Sequence, residues 1–140
     1  MSAADQESSY RAIERLIATY AELVDDGDFA AVGLLLADAT FVGGAGSVSG
    51  RDAIEKMLVE NVIVYDDGTP RTKHVTTNLG IEVDDAGATA VSRSYFTALQ
   101  ALPDLPCSRS SAVATTTASS AMTAIGVSWR GAFEQISSAI

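Results

Sequence analysis

Residues 71–99 read RTKHVTTNLGIEVDDAGATAVSRSYFTAL, and this stretch decides the fold. From Arg71 to Val83 it is rich in Thr, Val and Ile, residues that suit a pleated, half-buried surface. Asp84-Asp85-Ala86-Gly87 is a turn signal, and Ala88 to about Leu99 returns as an antiparallel partner. Alternation assigns the faces. His74, Thr76 and Asn78 share one, whereas Val75, Thr77, Leu79 and Ile81 share the other. Tyr95 and Phe96 necessarily point opposite ways.

Upstream the period changes from two to about 3.6. Ile13, Leu16, Ile17, Tyr20, Leu23 and Val24 recur at offsets of three and four, the stripe of an amphipathic helix. The helix is expected to end at Asp25-Asp26-Gly27-Asp28, with Gly27 in the left-handed cap conformation. Asp28 then caps a second helix, Phe29 to about Ala37. A short strand, Thr40-Phe41-Val42, runs into the glycine-rich turn 43–46. That turn lacks a following Gly-Lys-Ser/Thr and the GxGxxG spacing, so it is a bent hairpin rather than a phosphate cradle. Ser49 is placed to cap a third helix, Arg51 to about Val62, with Ile54, Met57, Leu58 and Val62 facing inward. Residues 66–70 form a loop. Helix, helix, strand, helix and an antiparallel meander make an α+β order.

Composition bounds the rest. A chain of 140 residues with 47% apolar and 19% charged content is one globular domain rather than a disordered tail. No run of about 18 apolar residues is present, and the polar, acidic start does not resemble a secretory signal. A cytoplasmic protein with no membrane contact is the expectation. A net charge of −9 argues against nucleic acid as a partner. Cys107 is the single cysteine and His74 the single histidine, so neither a disulfide nor a His/Cys metal cage can form. No metal and no cofactor are expected.

The residues after Pro106 follow another pattern. The first 106 hold 17 acidic and 7 basic residues, whereas residues 107–140 hold one acid, Glu134, and two bases, Arg109 and Arg130. Ser, Ala and Thr make up 19 of these 34 residues. The domain therefore divides into a core, 1–106, and an atypical tail, 107–140. Thr115-Thr116-Thr117 fits a strand, whereas Trp129, Phe133 and Ile136 would share a helix face and could dock on the sheet. A sharper expectation is that the tail is encoded out of frame. In a GC-rich gene, codons for Cys-Ser-Arg-Ser read one base earlier can encode Leu-Gln-Pro-Ile, and longer segments shift the same way into charged, amphipathic strand sequence. The gene's nucleotide sequence tests this, and it fails if no single-base shift yields such words. A tail unable to supply regular strands would leave a sheet edge exposed near Ala88–Leu99, so a homo-oligomer is expected.

YAELVDDGDFAAVGLLLADATFV (20–42), SGRDAIEKML (49–58) and DGTPRTKHVTTNLGIEVDDAGATAVSRSYFTAL (67–99) together resemble the SnoaL-like branch of the NTF2-like superfamily. The resemblance covers roughly Ser8 to Pro106 and rests on the order and spacing of these segments. It implies a cone-shaped α+β fold, in which a curved antiparallel sheet wraps a long helix around an apolar cavity, with the C-terminal strands altered or replaced here. It also implies a small apolar molecule as ligand, and many members dimerise through the outer sheet face.

In the dehydratase and dehydrochlorinase members, an Asp at the end of the first helix orients a His on a central strand. The matching residues here are Asp25 and His74, the implied catalytic pair. A carboxylate accepting one ring N–H fixes the tautomer and stabilises the imidazolium that forms. Such a His can take a proton next to a leaving group without a cofactor. Tyr20 matches a position where relatives present a polar side chain to substrate; Asn78, on the His74 face, and Phe41 and Phe96, as cavity wall or core, complete the candidate substrate-binding set. Arg130 does not replace the substrate-facing Arg that relatives carry on their last strands. The implied activity is a cofactor-independent lyase or isomerase acting on an apolar cyclic substrate. The alternative is a non-catalytic oligomeric or ligand-binding domain with a degenerate pocket.

Overall fold

A computed structural model describes residues 2–43, 46–84, 89–102, 105–119 and 126–130, with side chains described through residue 101. Helix α1 (Ala3–Asp26) begins at a capping box. The Ser2 hydroxyl accepts from the Asp5 N–H at 3.2 Å, and the Asp5 carboxylate accepts from the Ser2 N–H at 3.1 Å. Its other end is the expected glycine cap. Gly27 sits at φ 76°, and the N–H groups of Gly27 and Asp28 return to the carbonyls of Val24 and Leu23. A Cβ on Gly27 would lie 2.5 Å from the Gly68 carbonyl oxygen, so this turn and the loop before the third strand are closely packed.

The Asp28 carboxylate accepts from the Ala31 N–H at 3.0 Å and starts α2 (Phe29–Leu35). Helix α3 (Arg51–Asn61) starts differently from expectation. Its cap residue is Gly50, at φ 84°, with no side-chain bond, because Ser49 belongs to a strand and its hydroxyl pairs with that of Thr40 at 2.8 Å. Val24, Phe29, Val32, Leu36, Ala39, Ile54 and Leu58 form the buried core, with Leu16, Tyr20, Phe41, Val48 and Met57 packed against it. Burial of each large member contributes about 1.5–3 kcal/mol.

The sheet has six strands in the order β2-β1-β6-β5-β4-β3. They are β1 (Thr40–Gly43), β2 (Gly46–Ser49), β3 (Thr72–Val83), β4 (Thr89–Leu102), β5 (Leu105–Ser119) and β6 (Gly126–Arg130). All neighbours are antiparallel except β1 and β6, which run parallel. Two expectations for the tail are corrected here. Thr115–Thr117 do lie in a strand, but Trp129 lies in β6 and not on a helix, while Phe133 and Ile136 fall outside the described residues. The supposedly exposed edge at Ala88–Leu99 is paired with β5, from Thr89 against Ser119 to Gln100 against Ser108. Strand β5 starts at Leu105, just before the change of composition after Pro106.

The β3–β4 pairing carries the correction that matters for function. His74 opposes Ala98 and Thr76 opposes Phe96, but the register slips between Thr77 and Gly80, where Asn78 takes a left-handed φ of 54°. One extra residue on β3 is a β-bulge, and it reverses the alternation beyond it. Ile81 and Val83, opposite Ser92 and Ala90, therefore join the face of His74, whereas simple parity put Ile81 on the other side. Asn78 sits in the bulge itself, exposed, so parity does not carry the His74 face as far as residue 78.

Candidate active site

Asp25 lies in the last turn of α1 with 7% of its surface exposed. Two features make this an unfavourable place for a carboxylate: burial, and the negative end of the helix dipole. The start of β3 supplies what offsets them, because α1 packs on this strand. The Thr72 hydroxyl donates to Asp25 Oδ1 at 2.8 Å, and the His74 backbone N–H donates to Oδ2 at 2.8 Å. The His74 ring completes the set, with Nδ1 2.6 Å from Oδ1.

Burial alone would push the Asp25 carboxyl up. The bonds from the His74 backbone, the His74 ring and Thr72 outweigh it and hold its pKa below the usual aspartate value. The carboxylate stays charged and acts as acceptor, so Nδ1 carries the hydrogen. In a neutral imidazole that leaves the lone pair on Nε2.

Of the expected substrate-facing residues, Phe96 is at the pair. Its ring centroid is 5.7 Å from that of His74, tilted by 31°. Tyr20 lies one and a half turns before Asp25, packed against the core, and burial raises the pKa of its hydroxyl. Phe41 packs against the same core from β1. The structure does not bring Asn78 into the group around Asp25. Among the described residues, no three His, Cys, Asp or Glu side chains are grouped to hold a metal ion. Nor is any helix of the described residues long and apolar enough to cross a membrane.

The family described as SnoaL-like domain matches residues 6–132. The chain belongs to the SnoaL-like domain family. The match continues through β5 and into the residues beyond β6, 26 residues past Pro106, where the residue-by-residue resemblance stops. No protein with a curated description matches the chain in sequence. Solved structures with the same fold include ActVI-ORFA from Streptomyces coelicolor, with 15% identity over 86% of this chain and 96% of that one, at a TM-score of 0.67. A protein from Catenulispora acidiphila has 19% identity, covers 89% and 93%, and scores 0.68. A nuclear transport factor 2-like superfamily protein from Salmonella enterica has 16% identity, covers 90% and 92%, and scores 0.62. At these identities the likeness is one of fold alone.

Thr72 is the member of this SnoaL-like site that sequence reasoning missed. The signal was present, because Thr72 precedes His74 by two residues and shares its face. Ser92 and Ser94 are 3% and 7% exposed on the same face of β4, where an alternating strand normally places apolar residues.

Proposed function

We propose that this SnoaL-like protein is a cofactor-independent lyase or isomerase in which His74 is the general base and Asp25 orients it. The observation that carries this reading is the buried Asp25 carboxylate, fixed by Thr72 and the β3 backbone and 2.6 Å from His74 Nδ1. With Nδ1–H committed to Asp25, Nε2 takes the proton from a substrate carbon or hydroxyl. The imidazolium formed is stabilised by the adjacent carboxylate, and it can return the proton to a leaving group or to a neighbouring carbon. Elimination and isomerisation both follow from this one arrangement. The tilted Phe96 ring beside His74 favours a flat, apolar substrate.

The test needs no knowledge of the natural substrate. 2-Tetralone has weakly acidic C–H bonds beside its carbonyl, and their deuteration in heavy water is followed by proton NMR. The wild-type protein is expected to accelerate exchange, and folded His74→Ala to lose about 100- to 10,000-fold of that acceleration. Equal exchange rates for the two proteins would contradict the proposal and favour a binding domain.

A further inference from the structure

We infer that Ser94 is a second polar anchor for the ligand, at the far end of the face that carries His74. This rests on the preceding reading only in taking that face as the ligand's. Register puts Ser94 on the same side of β4 as Phe96 and Ala98, and Ala98 is the residue opposite His74. Ser94 falls in the bulge, where the pairing passes from Thr77–Tyr95 to Gly80–Arg93 and two β3 residues, Asn78 and Leu79, stand against it. Both of these are exposed, yet the serine is 7% exposed.

A buried hydroxyl normally has a protein partner, since an unmet one forfeits its bond to water. Among the described residues, no side-chain hydrogen bond reaches the Ser94 hydroxyl. Ser92, on the same face, is buried and does have an interaction, so among the described residues the two buried serines of β4 differ. A ligand oxygen is the group that fits it, with the hydroxyl donating to a carbonyl or accepting from another hydroxyl.

Geometry then sets the ligand's shape. Ser94 is four residues along β4 from the level of His74, about 13 Å at a rise of about 3.3 Å per residue. Between the two levels lies the Phe96 ring. A ligand touching both ends is elongated, flat and neutral, with one oxygen at the His74 end and another at the Ser94 end.

Two fluorescent probes separate the ends. 2,6-Dihydroxynaphthalene carries a hydroxyl at each end, and 2-naphthol carries one. Ser94→Ala is expected to weaken 2,6-dihydroxynaphthalene about five- to tenfold while changing 2-naphthol less than twofold. The melting temperature of the ligand-free variant should be unchanged or higher, because no side-chain hydrogen bond among the described residues is lost. Equal effects on both probes, no binding of either, or a lower melting temperature would each overturn the role of Ser94. Deuteration of 2-tetralone by wild-type protein with no discrimination between the naphthols would overturn the anchor and leave His74 as base. Discrimination without deuteration would do the reverse.

Discussion

The β3–β4 arm and the β5–β6 tail are joined in one sheet, but they hold their places by different means. In β3, individual side chains are committed: Thr72 and His74 bond Asp25, and Ile81 and Val83 reach the inner face only because of the bulge at Asn78. The tail has a composition dominated by Ser, Ala and Thr and almost no charge. Strand β5 nevertheless pairs along β4 for nearly its whole length, and β6 bridges β5 to β1. A strand ladder is made by backbone groups and needs only residues that tolerate extended φ and ψ. The chemistry is therefore concentrated in the first region, while the second completes the ladder.

Removing the tail breaks this comparison most severely. A chain ending at Leu105 bares the β4 edge and leaves β1 without its parallel neighbour. Loss of the cooperative thermal transition by circular dichroism is the expected outcome. Unchanged melting would mean that the tail is a passenger.

Asp25→Ala is next in size. It strands the Thr72 hydroxyl, the His74 backbone N–H and the His74 ring, and is expected to cost about 3 kcal/mol in urea unfolding at pH 7. The same contacts predict a pH dependence. Because the folded pKa of Asp25 lies below its ordinary value of 3.8, its contribution is present above that value. It is lost as pH falls through the folded pKa. Asp25→Asn should show a shallower decline in stability below pH 4 than the wild type.

Thr72→Val sharpens the picture with a smaller effect. It keeps the β-branched shape and removes one donor to the carboxylate, so a loss of about 1 kcal/mol is expected in the same assay. No change would mean that the backbone and the ring alone hold Asp25.

The N-terminal helices were legible because each boundary is written in local chemistry: the 3.6-residue stripe from Ile13 to Val24, Gly27 at the cap and Asp28 before α2. The Ser49 cap failed because a strand hydrogen bond to Thr40 competes for the same hydroxyl. Faces along β3 were legible only as far as Thr77, since alternation has no way to register an inserted residue, and an Asn at φ 54° is a tertiary choice. The tail was least legible. Trp129, Phe133 and Ile136 stand at helical spacing, and only the long-range pairings of β6 with β5 and β1 put Trp129 in a strand. At the site, Asp25 and His74 came into view through family resemblance. Thr72 shares the His74 face by simple alternation, but only the folded contact shows that it holds Asp25.

The central claim is that Asp25 fixes the tautomer of His74 so that Nε2 is the base. His74 is the only histidine, so a sample labelled with nitrogen-15 at histidine gives one pair of ring signals without assignment. At a pH where the ring is neutral, the account predicts a proton bonded to Nδ1, in slow exchange with water, and an unprotonated Nε2. In Asp25→Ala this preference should disappear. A proton on Nε2 in the wild type, with Nδ1 bare, would contradict the account directly.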